Sequence, residues 1–133
     1  MAHPRVNYGN NEQSILYAET GGACPLCTLP ILFKKASSKK LSKGYEIAHI
    51  YPLNSTPLQT TVLEGLAPPS ELNALENLIL LCPSCHRKYD KDFKIEEYQN
   101  LLAIKEGYLR ETEARQTASP VSYTHLTLPT TPY

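Results

Sequence analysis

The chain has 133 residues, with thirteen Lys+Arg against thirteen Asp+Glu, four Cys, eleven Pro and no Trp. That length limits it to one or at most two small domains and excludes a large multidomain enzyme. No run of about 18 apolar residues occurs, and Met1-Ala2-His3-Pro4-Arg5 lacks a basic start leading into an apolar stretch. Neither a membrane span nor a signal peptide is expected, and the expected location is the cytoplasm.

The first patterned segment, Asn11 to Glu19, sets Ile15, Leu16 and Ala18 at near-helical spacing before a Gly21-Gly22 stop. It predicts a short helix within an N-terminal segment, residues 1–22. Gly22 to Cys27 predicts a tight turn. Leu29 to Phe33 has the β-branched and aromatic content of a short strand, which Pro30 places at an edge. Between Lys34 and Lys43 the chain carries five lysines (Lys34, Lys35, Lys39, Lys40 and Lys43) and no acid. It predicts an exposed hairpin tip, either simply solvated or available to phosphates.

Tyr45 to Tyr51 alternates loosely and predicts a strand ended by Pro52. A Pro-containing stretch follows, then the apolar run Leu78 to Leu81. After Cys85 the pattern turns helical. Ile95, Tyr98, Leu101, Leu102, Ile104, Tyr108 and Leu109 recur mostly at three- and four-residue steps, which predicts an amphipathic helix from about Lys94 to Arg115. Residues 121–133 break with all of this, having no Asp, Glu, Lys or Arg and no amphipathic period. Residues 121–131 resemble the conceptual translation of a transposon-end adapter used in sequencing libraries; the alternative is a natural Thr- and Pro-rich tail. On the adapter reading 120 native residues remain, His125 drops out as a ligand candidate, and a native chain is expected to continue past Pro120.

The cysteines fall into two Cys-x-x-Cys pairs, Cys24/Cys27 and Cys82/Cys85, the spacing of zinc knuckles. Each such turn presents two sulfurs from one loop, and two turns complete a tetrahedral thiolate shell. Four protein ligands leave no open position, so the metal expected here is structural Zn²⁺. Its binding, worth roughly 10–16 kcal/mol in small zinc domains, would tether two halves of the chain. The 54 residues between Cys27 and Cys82 exceed the interval of a plain zinc ribbon, so a larger unit is inserted between the knuckles. The alternatives are four free buried cysteines, or a redox protein with reactive thiols.

Three further features fall in order: Glu46-Ile47-Ala48-His49-Ile50-Tyr51-Pro52, Glu76-Asn77-Leu78-Ile79-Leu80-Leu81, and Cys82-Pro83-Ser84-Cys85-His86-Arg87-Lys88-Tyr89-Asp90. Together they resemble the HNH endonucleases over about Cys24 to Tyr98, and within that family the HNH proteins of bacterial anti-phage defence. The resemblance implies an α+β fold, two strands and a helix around one catalytic metal, braced by the four-cysteine zinc, with flanking helices. It implies a nuclease domain over residues 23–98, followed by a C-terminal helix over residues 99–120. The activity implied is hydrolysis of DNA phosphodiesters with Mg²⁺ or Mn²⁺, and a defence-system protein partner is expected to dock through a missing C-terminal region.

By motif position, the resemblance makes His49 the general base, Asn77 the residue that pins the loop between the strands, and His86 a ligand of the catalytic metal. A neutral imidazole titrating near ~6.5 can take a proton from water. The asparagine amide has donors and an acceptor with which to tie two backbone segments. Asp90, one helical turn beyond His86, is a candidate second ligand or an ordinary surface carboxylate. Apart from the motif, His49 alone would read as a buried, hydrogen-bonded histidine and Asn77 as a turn residue. Many members carry Asp or His before the base, where this chain has Ala48. Strand alternation puts Glu46 on the Ala48 side, as a candidate for the missing ligand. The rival to a nuclease is a non-catalytic, zinc-ribbon-like module that binds nucleic acid or a protein.

Overall fold

The computed structural model describes residues 6–34, 36 and 40–118. The first helix, α1 (Asn10–Thr20), starts where Glu12 Oε1 accepts the Gly9 N–H at 2.9 Å, satisfying a donor that the helix itself leaves unpaired. It stops at Gly21, whose φ of 66° is the left-handed conformation that lets its N–H turn back to the Ala18 carbonyl.

The strand expected over Leu29 to Phe33 lies later. Residues Cys24 to Leu29 are consumed by the knuckle turn, where Thr28 N–H donates to Cys24 O and Cys24 N–H to Leu29 O, both at 2.8 Å. Thr28 sits at φ 66° to close that turn. Pro30, which has no N–H, makes only an isolated bridge with Ala23, and the strand β1 begins at Leu32 and ends at Lys34. β1 pairs antiparallel with β2 (Leu41–Lys43), with Leu32 opposite Lys43 and Lys34 opposite Leu41, as the two arms of a hairpin do. Lys35 and Lys39, which the sequence sets between these strands, lie outside the described residues, as do residues 119–133.

The second sheet positions the site. β3 (Glu46–His49) runs antiparallel to β4 (Leu78–Leu81), with Glu46 opposite Leu81 and His49 opposite Leu78. All four β4 side chains are fully buried. Alternate residues of a strand face opposite sides, so complete burial requires cover on both faces. That cover comes from α1 and from α3 (Pro83–Lys91), both of which pack on β4. Each such side chain contributes about 1.5–3 kcal/mol relative to exposure, which makes β4 the axis of the core.

Between the strands the Pro-containing stretch forms a helix that apolar periodicity does not predict, α2 (Pro57–Val62). Its signal is Thr56-Pro57-Leu58-Gln59: Thr56 Oγ1 accepts the Gln59 N–H at 3.2 Å while Gln59 Oε1 accepts the Thr56 N–H at 2.9 Å. Buried Gln59 also donates from Nε2 to the Asp90 carbonyl at 3.1 Å, fastening α2 to α3. The last helix, α4 (Ile95–Ala118), buries Tyr98 and Leu101. Lys105, 1% exposed, donates to Glu19 Oε1 at 2.6 Å and locks α4 to α1 through a buried ion pair. Among the described residues no helix is long and apolar enough to cross a membrane.

Candidate active site

The two knuckles bring together the segments that carry the two halves of the site. All four sulfurs, of Cys24, Cys27, Cys82 and Cys85, lie within 4.8 Å of one another, and Cys27 Sγ to Cys82 Sγ measures 3.7 Å. A tetrahedron with Zn–S bonds of ~2.3 Å has sulfur–sulfur edges of about 3.8 Å, so the four are positioned to form a metal site of zinc dimensions. Backbone amides help to hold the sulfurs: Cys82 N–H donates to Cys24 Sγ at 3.5 Å, and Cys85 N–H to Cys82 Sγ at 3.4 Å. The electrostatics are uneven. Burial raises the Cys24 thiol, but backbone amides of Cys82, Cys27 and Leu26 outweigh it and bring it down to about 7. Burial first, then the neighbouring sulfurs of Cys82, Cys27 and Cys24, push the Cys85 thiol far up. Four thiolates this close repel one another until a cation joins them.

Cys82 caps α3, whose first residues include Cys85 and whose next residue is His86. His86 Nε2 lies 3.2 Å from Asp90 Oδ2 one turn on, as two residues four apart on a helix allow. Its other nitrogen, Nδ1, lies 2.8 Å from Glu46 Oε1 on β3. The Asp90 carboxylate, opposed by burial and aided by Glu46, holds the His86 ring above its usual pKa. Glu46 does not stay on the buried Ala48 side. At the exposed start of β3 its long side chain reaches the cleft that Ile47 and His49 also line, while Ala48 is fully buried in the core.

His49 closes β3, 8% exposed. His49 and His86 both line an open cleft of about 620 Å³ with Tyr8, Lys43 and Glu46, and both also line a smaller cavity of about 170 Å³ with Gln59 and Asp90. The two histidines therefore border one continuous surface, with Lys43 of the basic hairpin at its edge. Asn77 is not in the cleft. Its Oδ1 accepts the Tyr51 N–H at 2.8 Å and its Nδ2 donates to the carbonyls of Tyr51 and Leu72 at 3.0 and 2.9 Å. Its backbone carbonyl accepts the Ile50 N–H at 2.8 Å, and Tyr89 Oη donates to the Ile50 carbonyl at 2.7 Å. The chain leaving His49 is thus clamped by the turn that leads into β4 and by α3.

Two side chains at this site carry no signal in the sequence. Asn73 Oδ1 lies 2.9 Å from His49 Nε2, and Tyr8 Oη donates to that same oxygen at 2.7 Å. Neither belongs to a motif or a periodic pattern.

Among the described residues the four cysteines are the sole cluster of three or more His, Cys, Asp or Glu side chains that could hold a metal. His86 and Asp90 offer two donors. That number fits Mg²⁺ or Mn²⁺, which bind through one or two protein ligands and keep other positions for water and phosphate. Adjacent donors at ~2.1 Å from such an ion lie about 3 Å apart, close to the observed separation.

Two antiparallel strands and a helix, with paired histidines at one cleft and a four-cysteine cluster behind it, define a small α+β domain of the HNH type. Residues 24–103 match the HNH endonuclease family, and the chain belongs to that family. No curated protein matches the chain.

Proposed function

We propose that the protein is a DNA endonuclease in which His49 is the general base, His86 and Asp90 bind a divalent cation, and the four cysteines bind a structural Zn²⁺. One observation carries this reading: His49, His86 and Asp90 all line the smaller cavity although they come from different elements.

His49 takes a proton from a water molecule, whose oxygen forms the new bond to phosphorus. The bond from phosphorus to one sugar oxygen breaks, and that oxygen leaves with a proton from solvent. A bound Mg²⁺ or Mn²⁺ supplies neutralisation of the negative charge on the phosphate and on the leaving oxygen. Glu46 accepts from His86 Nδ1 and thereby fixes the ring so that Nε2 would be free to hold the cation, as carboxylates behind metal-binding histidines do. Asn77 holds the backbone after His49 so that the imidazole is aimed before substrate arrives. Lys43, with the hairpin lysines, offers positive charge to the DNA backbone and reads no base.

Residues 1–22, 23–98 and 99–120 are proposed as an N-terminal segment, the nuclease domain and a C-terminal helix that connects to a recruiting partner. The family resemblance supports a role in bacterial anti-phage defence, in the cytoplasm. The test is nicking of supercoiled plasmid by the zinc-loaded chain with Mg²⁺ or Mn²⁺, beside His49→Ala. Cleavage by the wild type alone supports the nuclease. No cleavage by either, with four-sulfur zinc in place, favours the non-catalytic binding module.

A further inference from the structure

The contacts of His49 say more than that it lines the cleft. Tyr8 Oη and Asn73 Oδ1 are 2.7 Å apart, the ordinary length of an O–H···O bond and short for an amide N–H donor. The structure turns the amide oxygen toward Tyr8, where it accepts the hydroxyl proton. That oxygen is also 2.9 Å from His49 Nε2, a normal N–H···O length. An amide oxygen only accepts, so Nε2 carries the proton. A neutral imidazole has one, so Nδ1 carries the lone pair. The Tyr8 hydroxyl, 3.4 Å from Nε2, has its proton on Asn73 and does not donate to the ring.

We propose that Asn73, held by Tyr8, is a positioning residue that locks His49 in the Nε2–H tautomer and leaves Nδ1 as the proton acceptor. The purpose of that lock rests on the nuclease reading; the lock itself does not. Asn73 is 24 positions after His49 and Tyr8 is 41 before it, so the segment leading into α1 and the loop before β4 meet at the base from either side of it in the chain. Without Asn73 the neutral ring divides between two tautomers and turns about its χ2 bond, and the productive fraction falls. The other titratable groups around the two cavities are Lys43, Tyr45, Glu46, His86 and Asp90, none of which supplies an acceptor to Nε2.

The test reads the ring directly. Long-range ¹H–¹⁵N spectra of the zinc-loaded, ¹⁵N-histidine-labelled chain at pH 8, assigned through His49→Ala, should give well-separated His49 nitrogen signals with the proton on Nε2. Asn73→Ala should draw the two signals together. Tyr8→Phe, which removes only the hydroxyl, should move them in the same direction by less. In the nicking assay Asn73→Ala should lower kcat about 10- to 100-fold with little change in KM, and Asn73→Asp, which keeps an acceptor, should recover most of it. Zinc content and far-UV circular dichroism check that each variant folds. An Nδ1–H tautomer or averaged signals in the wild type, or unchanged signals in both Asn73→Ala and Tyr8→Phe, would overturn the proposal. A wild type that shows the lock but cuts no DNA refutes the nuclease and leaves the positioning intact; a wild type that cuts without the lock does the reverse.

Discussion

Replacing Asn77 by alanine removes three side-chain hydrogen bonds at once, two to Tyr51 and one to the Leu72 carbonyl. Each contributes about 0.5–1.5 kcal/mol net, and a buried backbone group left without a partner costs about 1–3 kcal/mol. Two of the three orphaned groups belong to Tyr51, which is only half-buried, so water recovers part of that cost. The expected loss is about 3 kcal/mol of stability, measured by urea denaturation at pH 7 in saturating zinc. Asn77→Asp separates hydrogen bonding from shape. It keeps the acceptor for the Tyr51 N–H but turns a carboxylate oxygen toward the Tyr51 and Leu72 carbonyls, which it cannot satisfy. It should therefore be no more stable than the alanine variant, although it is nearly isosteric with asparagine. Both variants should also slow nicking strongly, because a shift of about 1 Å in a catalytic group can cost about a hundredfold. A loss below about 1 kcal/mol for Asn77→Ala, or wild-type stability for Asn77→Asp, would refute the clamp.

Chelation of the knuckle metal should unfold the domain and not merely inactivate it, because the metal joins segments flanking a 54-residue insertion; Cys85→Ser should lose circular dichroism and the absorption of a Co²⁺-substituted tetrathiolate site together. Lys105→Met should cost about 3–5 kcal/mol by leaving Glu19 buried and unpaired, and adding Glu19→Leu should restore most of it, read as a double-mutant cycle in denaturant. The folded pKa of His86 is raised, so its charged form stabilises the cation-free protein below the ordinary value of about 6.5, and that contribution disappears as pH rises through the folded value. Mn²⁺ must displace that proton. Its dissociation constant, measured by calorimetry, should fall about tenfold per pH unit on the acid side and level off above the ordinary histidine range, and a pH-independent affinity would contradict the assignment of His86. Glu46→Ala should weaken Mn²⁺ binding about 10- to 100-fold, with Glu46→Gln intermediate because it retains an acceptor.

Much of this architecture is legible along the chain. The paired cysteines announce their cluster because a Cys-x-x-Cys turn brings two sulfurs together whatever surrounds it. The apolar run Leu78 to Leu81 marks the core by composition, but its being a strand covered on both faces is decided by its pairing with β3, because periodicity alone does not separate so short a run from a buried helix segment. The spacing of His86 and Asp90 becomes proximity as soon as a helix forms, and α4 follows its apolar period to within a few residues. Even α2 was readable, since Thr56-Pro57-Leu58-Gln59 is a capping signal that a search for apolar periodicity passes over. The strand expected at Leu29 moved to Leu32 because propensity does not show that the knuckle turn has already used the backbone groups of Cys24 to Leu29.

The aim of the two histidines belongs to the other category. His86 meets Glu46 across 40 positions, His49 meets Asn73 across 24, and Asn73 meets Tyr8 across 65. Periodicity and turn chemistry describe neighbours within a few residues, where backbone geometry alone sets the distance. A hydrogen bond between distant side chains depends instead on the register of β3 against β4, on where α1 enters and on which rotamers the core leaves open. The residue types at this centre can therefore be read one by one along the chain, but which nitrogen of each imidazole is held, and by what, follows from packing.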